Sequence, residues 1–149
     1  MLTRMTILAG LALVLLAGCG SDDEGGGGGS EPAATLAGPV TYERGGGIAG
    51  RRDRLVVQPD GSAELTVREK TTQVTIPDKD LARLARDLES AELASLPRNS
   101  TTKPPVPDTF AYRVSYDGST VTTDDPGMPD QLGGLVTRLG ALVERLEKG

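Results

Sequence analysis

The sequence predicts an α+β domain: an antiparallel sheet of about four to five strands with two helices packed on one face. Three observations predict it. Short alternating apolar segments are joined by turn signals, Pro59-Asp60-Gly61 and Asp117-Gly118, that close hairpins. Two longer segments carry apolar residues at helical spacing and each opens at a proline, Pro77 and Pro129. The order of these pieces, β-β-β-α-β-β-α, gives a one-sided sheet that needs helices to cover it.

Each element follows from its residues. Val40 to Arg44 has strand character and runs into Gly45-Gly46-Gly47. Leu55 to Gln58 forms the next strand, and the Pro59-Asp60-Gly61 turn returns it. Proline presets the first turn position and glycine takes the positive φ. In the return strand Ala63, Leu65 and Val67 face one way, and Glu64, Thr66 and Arg68 the other. Gln73 to Ile76 is a shorter extended piece. The first helix opens at Pro77, with Asp78 and Asp80 near the positive end of its dipole. Its stripe is Leu81, Leu84, Ala85 and Leu88, expected to continue through Leu93 and Leu96 until Pro97 stops it. Arg98 to Asp108, with Pro104, Pro105 and Pro107, reads as an irregular surface loop. Phe110, Tyr112, Val114 and Tyr116 alternate with Ala111, Arg113 and Ser115, and Asp117-Gly118 turns that strand into Thr120-Val121-Thr122. The last helix runs from about Pro129 to Glu147, with Leu132, Leu135, Val136, Leu139, Leu142, Val143 and Leu146 on one face. That leucine stripe suits core packing, although a partner-binding helix would look the same.

Ahead of this domain the chain divides into residues 1–18, a signal peptide, and 19–35, a tether; the domain itself is 36–149. Arg4 is a positive n-region, and Met5 to Ala17 is an apolar run of about 13 residues, short of the roughly 20 that span a bilayer. The run ends in Leu16-Ala17-Gly18-Cys19, which holds the only cysteine of the 149 residues. The tetrad resembles the lipobox of bacterial lipoproteins. The resemblance implies lipidation of Cys19, palmitate among its acyl groups, cleavage before it, and a protein held to the extracytoplasmic side of a cell membrane. The partner there is the lipid bilayer, reached through acylated Cys19. Gly20 to Ala34, with five consecutive glycines, has nothing to bury and is expected to be a flexible tether. About 16 such residues reach roughly 20–25 Å.

Composition excludes several functions. The chain carries −5. With Arg4 and the four tether carboxylates set aside, the domain is near −2, which gives no electrostatic preference for nucleic acid. Without histidine there is no Ser-His-Asp triad and no His-based metal site. Asp124-Asp125 reads as part of a solvated turn near Pro126-Gly127, which does not promise the buried environment that splits carboxylate pKa values. Calcium at Asp124, Asp125 and Asp130 lacks EF-hand spacing. No catalytic residue, metal site or cofactor is therefore expected, and the protein reads as a non-enzyme. One Phe, three Tyr and no Trp make an aromatic ligand pocket hard to build.

Surface recognition remains. In Gly45-Gly46-Gly47-Ile48-Ala49-Gly50-Arg51-Arg52, one large apolar side chain stands among small ones, with arginines on either side. The segment reads equally as a flexible connection with solvated charges or as a presented loop whose small neighbours let a partner approach the backbone. The succession of this segment, the Pro59-Asp60-Gly61 hairpin, Ile76-Pro77 opening a leucine helix, and Leu93 to Pro97 resembles the emfourin family. Phe110-Ala111-Tyr112, the Asp117-Gly118 turn, and Met128-Pro129 opening a final helix extend the likeness over about residues 39–147. Emfourins are small α+β inhibitors of thermolysin-like zinc metalloproteases of the protealysin type. The resemblance implies an exported, lipid-tethered protease inhibitor or protease-binding module whose partner is a secreted or envelope metalloprotease. It also implies that Ile48 enters the apolar subsite after the scissile bond, that Arg51 and Arg52 pair with an acidic cleft rim, and that any zinc is the protease's. Family members are bare domains, whereas this chain has a lipobox and tether. The alternative is a structural or assembly envelope lipoprotein that acts through protein–protein contacts without inhibiting a protease.

Overall fold

The computed structural model describes residues 35–149, all within one compact unit, Glu31–Gly149. The signal peptide, Cys19 and nearly all of the tether lie outside the described residues. Six strands and two helices follow in the order β1 (Val40–Gly46), β2 (Arg51–Val57), β3 (Ser62–Val67), β4 (Lys70–Thr75), α1 (Asp78–Ala91), β5 (Phe110–Tyr116), β6 (Ser119–Asp124) and α2 (Asp130–Lys148). The sheet is antiparallel throughout, with spatial order β4-β3-β2-β1-β5-β6. A four-strand meander is thus extended on its β1 side by the β5–β6 hairpin, and β1 lies inside the sheet.

The α+β class is as the sequence predicts, with one strand more. The addition is β4, where the sequence offered only a short extended piece. Five of its six residues are exposed, and its single half-buried side chain is Val74. An edge strand of this kind has no apolar alternation to read, and it forms because a two-residue turn, Arg68-Glu69, folds it back onto β3. Ile76, assigned to that piece, lies just past the strand. It is buried and donates its N–H to the Gly61 carbonyl.

The core lies between the inner sheet face and the helices. Val40, Tyr42, Leu55, Val57, Leu65, Val114 and Val121 meet Leu84, Leu88, Leu132, Leu135, Leu139 and Val143. The stripe of α2 is buried apart from Leu146, which is partly so. The first helix is shorter than its apolar run. Glu92 adopts a left-handed conformation (φ 44°, ψ 53°), and Leu93–Ser95 form a separate 3-10 turn. Leu93 still reaches the core, so the stripe identifies buried residues but not helical continuity. Among the described residues the buried core runs from Leu36 to Val143, Leu146 packs against it, and all six strands pair within that span, so the unit Glu31–Gly149 carries a closed core and is expected to fold on its own.

Arg98 to Asp108 is irregular, as expected, but part of it is tied to the sheet. Ser100 donates its N–H to the Thr122 carbonyl, and Thr122 donates back to the Arg98 carbonyl. This segment covers part of the β6 edge. Among the described residues no helix covers the outer face of the sheet, and its positions Thr41, Glu43, Arg54 and Glu64 are half-buried or exposed, whereas Asp124 at the β6 edge is buried under the Arg98–Asp108 segment.

Candidate functional site, the β1–β2 hairpin

The pair Gly46↔Arg51 closes the hairpin, and Gly47-Ile48-Ala49-Gly50 form its tip. Two glycines are required there by close packing. A Cβ at Gly46 would stand 2.7 Å from the Thr109 carbonyl oxygen, and one at Gly47 would stand 2.7 Å from the Phe110 ring. Both residues also have positive φ, 100° and 68°. The Gly47 N–H donates to the Thr109 carbonyl at 3.0 Å, and the Gly50 N–H to the Gly47 carbonyl at 3.0 Å. The tip is therefore fixed against the start of β5. Ile48 does not pack on the core; it is 91% exposed. Among the described residues the only other large apolar side chain classed as exposed is Val106. The segment is thus an exposed tip whose backbone is anchored to Thr109.

Below the tip, the hairpin is braced to α2. Asp53 lies on the inner face in register with Arg44, and its side chain is fully buried. Arg44 donates through Nε and Nη2 to Asp53 Oδ2 at 2.9 and 2.7 Å. Arg51 donates to the same oxygen at 2.6 Å and to Glu147 of α2 at 2.6 Å. Arg44 also lies 3.5 Å from Glu144 and 5.4 Å from the centre of the Phe110 ring. One carboxylate oxygen thus gathers two guanidinium groups, and the last turns of α2 hold both from outside. Asp53 Oδ1 and the Tyr42 hydroxyl are buried beside this cluster without a partner among the described residues. Burial pushes Tyr42 up to about 12, partly offset by Arg44.

The predicted docking residues divide accordingly. Gly45 and Gly46 belong to β1, and Gly47, Ile48, Ala49 and Gly50 make the tip. Arg51 turns inward and is engaged by Asp53 and Glu147, whereas Arg52 is exposed and pairs with no carboxylate among the described residues. Sequence reasoning missed the Asp53 brace. The signal was present, since Asp53 shares the parity of Leu55 and Val57 and must face the core.

The acidic pair Asp124-Asp125 is structural, and Asp124 does not lie in the solvated turn expected of it: it ends β6 and is buried under its hydrogen bonds to the Arg98–Asp108 segment. Asp124 accepts from the Thr102 N–H and hydroxyl and from the Gly127 N–H. Burial works to raise its pKa, but these hydrogen bonds outweigh it and the net shift is downward. Asp125 accepts from the Phe110 N–H and the Tyr112 hydroxyl, both at 2.7 Å. Among the described residues no three carboxylate, cysteine or histidine side chains come together as a metal site, and no helix is long and apolar enough to cross a membrane. No protein-family model matches the chain, and no curated protein matches it in sequence.

Proposed function

We propose that this protein is a lipid-tethered, extracytoplasmic inhibitor of thermolysin-like zinc metalloproteases, which docks through the β1–β2 hairpin. The observation that carries the reading is Ile48, fully presented at a tip whose backbone is held by Thr109 and Phe110. Burying that side chain in an apolar subsite contributes roughly 1.5–3 kcal/mol. Because the tip is fixed before binding, little ordering entropy opposes docking. The flanking Gly47, Ala49 and Gly50 leave the backbone open to cleft walls. Cys19 anchors the chain to the bilayer, and the zinc belongs to the protease.

The direction of the chain supports the same reading. Leu36 is buried, and the Ala37 N–H donates to the Tyr116 hydroxyl at 2.8 Å, near the start of β1. The tip lies at the opposite end of that seven-residue strand, on the order of 20 Å away. A tether joined near Leu36 therefore leaves Ile48 pointing away from its attachment. A docking role for α2 finds less support, because its apolar stripe is spent on the core.

The test titrates the domain Glu31–Gly149 into thermolysin-like proteases cleaving a fluorogenic peptide. Saturable inhibition, lost in a folded Ile48→Asp variant, is the expected result. No inhibition by micromolar domain across several such proteases would leave a tethered binding module that inhibits none of them.

A further inference from the structure

The outer sheet face carries a depression of about 350 Å³ above β1. We propose that it is an anion-binding crater that seats the carboxylates of an acidic protein segment and extends the docking surface of the hairpin. This inference rests on reading the hairpin as a docking element, and it adds the chemistry of the partner.

Two register rows build the crater. In one, Glu43 of β1 lies between Arg54 of β2 and Arg113 of β5; in the next, Gly45 lies between Arg52 and Ala111. Arg68 joins beside Arg52, to whose carbonyl its N–H donates at 2.6 Å. The strands β2 and β5 stand about 10 Å apart across β1, so arginines on both sides border one anion-sized space. The carboxylates nearby are already engaged. Glu43 and Glu64 lie 3.4 and 3.7 Å from Arg54, Asp53 is held by Arg44 and Arg51, and Asp124, beyond Ala111, is bonded to Thr102. Arg52, Arg68 and Arg113 have no carboxylate partner among the described residues. All three line this depression.

At the floor and the rim, the residue present is not the one the local backbone favours. Glycine weakens a strand interior, yet Gly45 needs no positive φ, and a Cβ there would meet only the Arg51 carbonyl, at 3.8 Å. The absent side chain keeps the centre of the crater open. At the rim, Arg68 has φ 58°, a conformation that glycine or asparagine takes with less strain.

Continuity selects an acidic protein as the occupant. The row through Gly45 is one pair below the closing pair of the hairpin, within about 10 Å of the tip. A stable interface covers roughly 800 Å² on each partner, more than a four-residue tip supplies. Planar guanidinium groups pair bidentately with carboxylates, and exposed charges of this kind mainly speed and orient docking.

The experiment follows a hexaglutamate peptide binding to the domain Glu31–Gly149 by NMR at low ionic strength. The expected result is saturable shifts at Gly45, Ala111 and their neighbours. Binding weakens about tenfold in Arg52→Ala/Arg113→Ala, a few-fold for each exposed pair lost, and is screened by about 0.5 M salt. Gly45→Leu, which fills the crater while leaving every arginine in place, gives the same weakening. Neither variant melts below wild type, as the substituted positions lie on the outer face and the backbone at Gly45 does not require glycine. Binding that ignores both variants, or no binding, overturns the proposal. Tighter binding of inorganic phosphate or of phosphatidylglycerol vesicles at the same residues overturns it in favour of a phosphate site. The peptide readout needs no protease, so failure of the inhibition assay and failure of the crater are separate results.

Discussion

Asp53 shows how much one side chain decides. Its carboxylate is fully buried against Arg44 and Arg51, and truncating one partner of a buried pair leaves the other's charge uncompensated. Asp53→Ala is expected to cost roughly 3–5 kcal/mol, read as a lowered denaturation midpoint. Adding Arg44→Met to that variant restores part of the loss, because the stranded charge is gone. Tyr42 behaves differently. Its hydroxyl has no partner among the described residues, so Tyr42→Phe is expected to be neutral or to stabilise by about 1 kcal/mol. The residue also sets an alkaline limit. An unfolded tyrosine ionises near 10, whereas burial holds Tyr42 up to about 12. The folded state resists losing that proton, so stability is full below about pH 10 and declines as pH rises through 12. Thermal melts at pH 7 and pH 11 will show a smaller difference in Tyr42→Phe than in wild type. Asp124 works at the other end of the scale. Its lowered pKa makes its contribution present above the ordinary carboxylate range and lost as the solution becomes more acidic.

The hairpin has its own logic as an element. Its glycines do different work, and substitution separates them. Gly47→Ala drives a Cβ into the Phe110 ring at a positive φ, so it is expected to unseat the tip and lower stability. Gly45→Ala meets ordinary contact only, at φ outside the left-handed region, and is expected to stabilise by about 0.5–1 kcal/mol. Chemical denaturation of the two variants checks the order, and the reverse order would mean that Phe110 does not hold the tip. The α2 terminus belongs to the same unit, since Glu144 and Glu147 hold Arg44 and Arg51. The individual elements were legible to different degrees. Core positions of β3, β5 and α2 followed from period alone, because one face of each turns toward the core, although in β5 only Val114 is fully buried. The edge strand β4 escaped, having almost no apolar face, and the end of α1 at Ala91 was masked by the apolar Leu93 and Leu96 beyond it.

At the scale of the whole molecule, the described residues cover one face of the sheet and leave the other open, and the proposed functions use the end and the open face. Two helices bury the inner side, so the proposed recognition uses the hairpin tip and the arginine-lined depression beside it. Under the proposed lipid anchor, Cys19→Ser is expected to move the protein from the membrane to the soluble fraction without changing the domain's melting temperature, because the core of the described residues begins at Leu36, well after Cys19. Fractionation of cells expressing each form checks this. Retention of the serine variant at the membrane would assign the attachment to another part of the chain. What the sequence determined by itself was local: the period of each strand and helix, the turns, the absence of histidine, and the isolation of Ile48 among small residues. These are readable because each depends on neighbours a few positions away. Only the tertiary structure decided which arginines are spent and which are available. Arg51 and Arg52 are adjacent, yet strand pleating sends one inward to Asp53 and Glu147 and the other to the open face, beside Arg113 from a strand far along the chain. Pairing across β1 made that meeting, and pairing is a property of the fold.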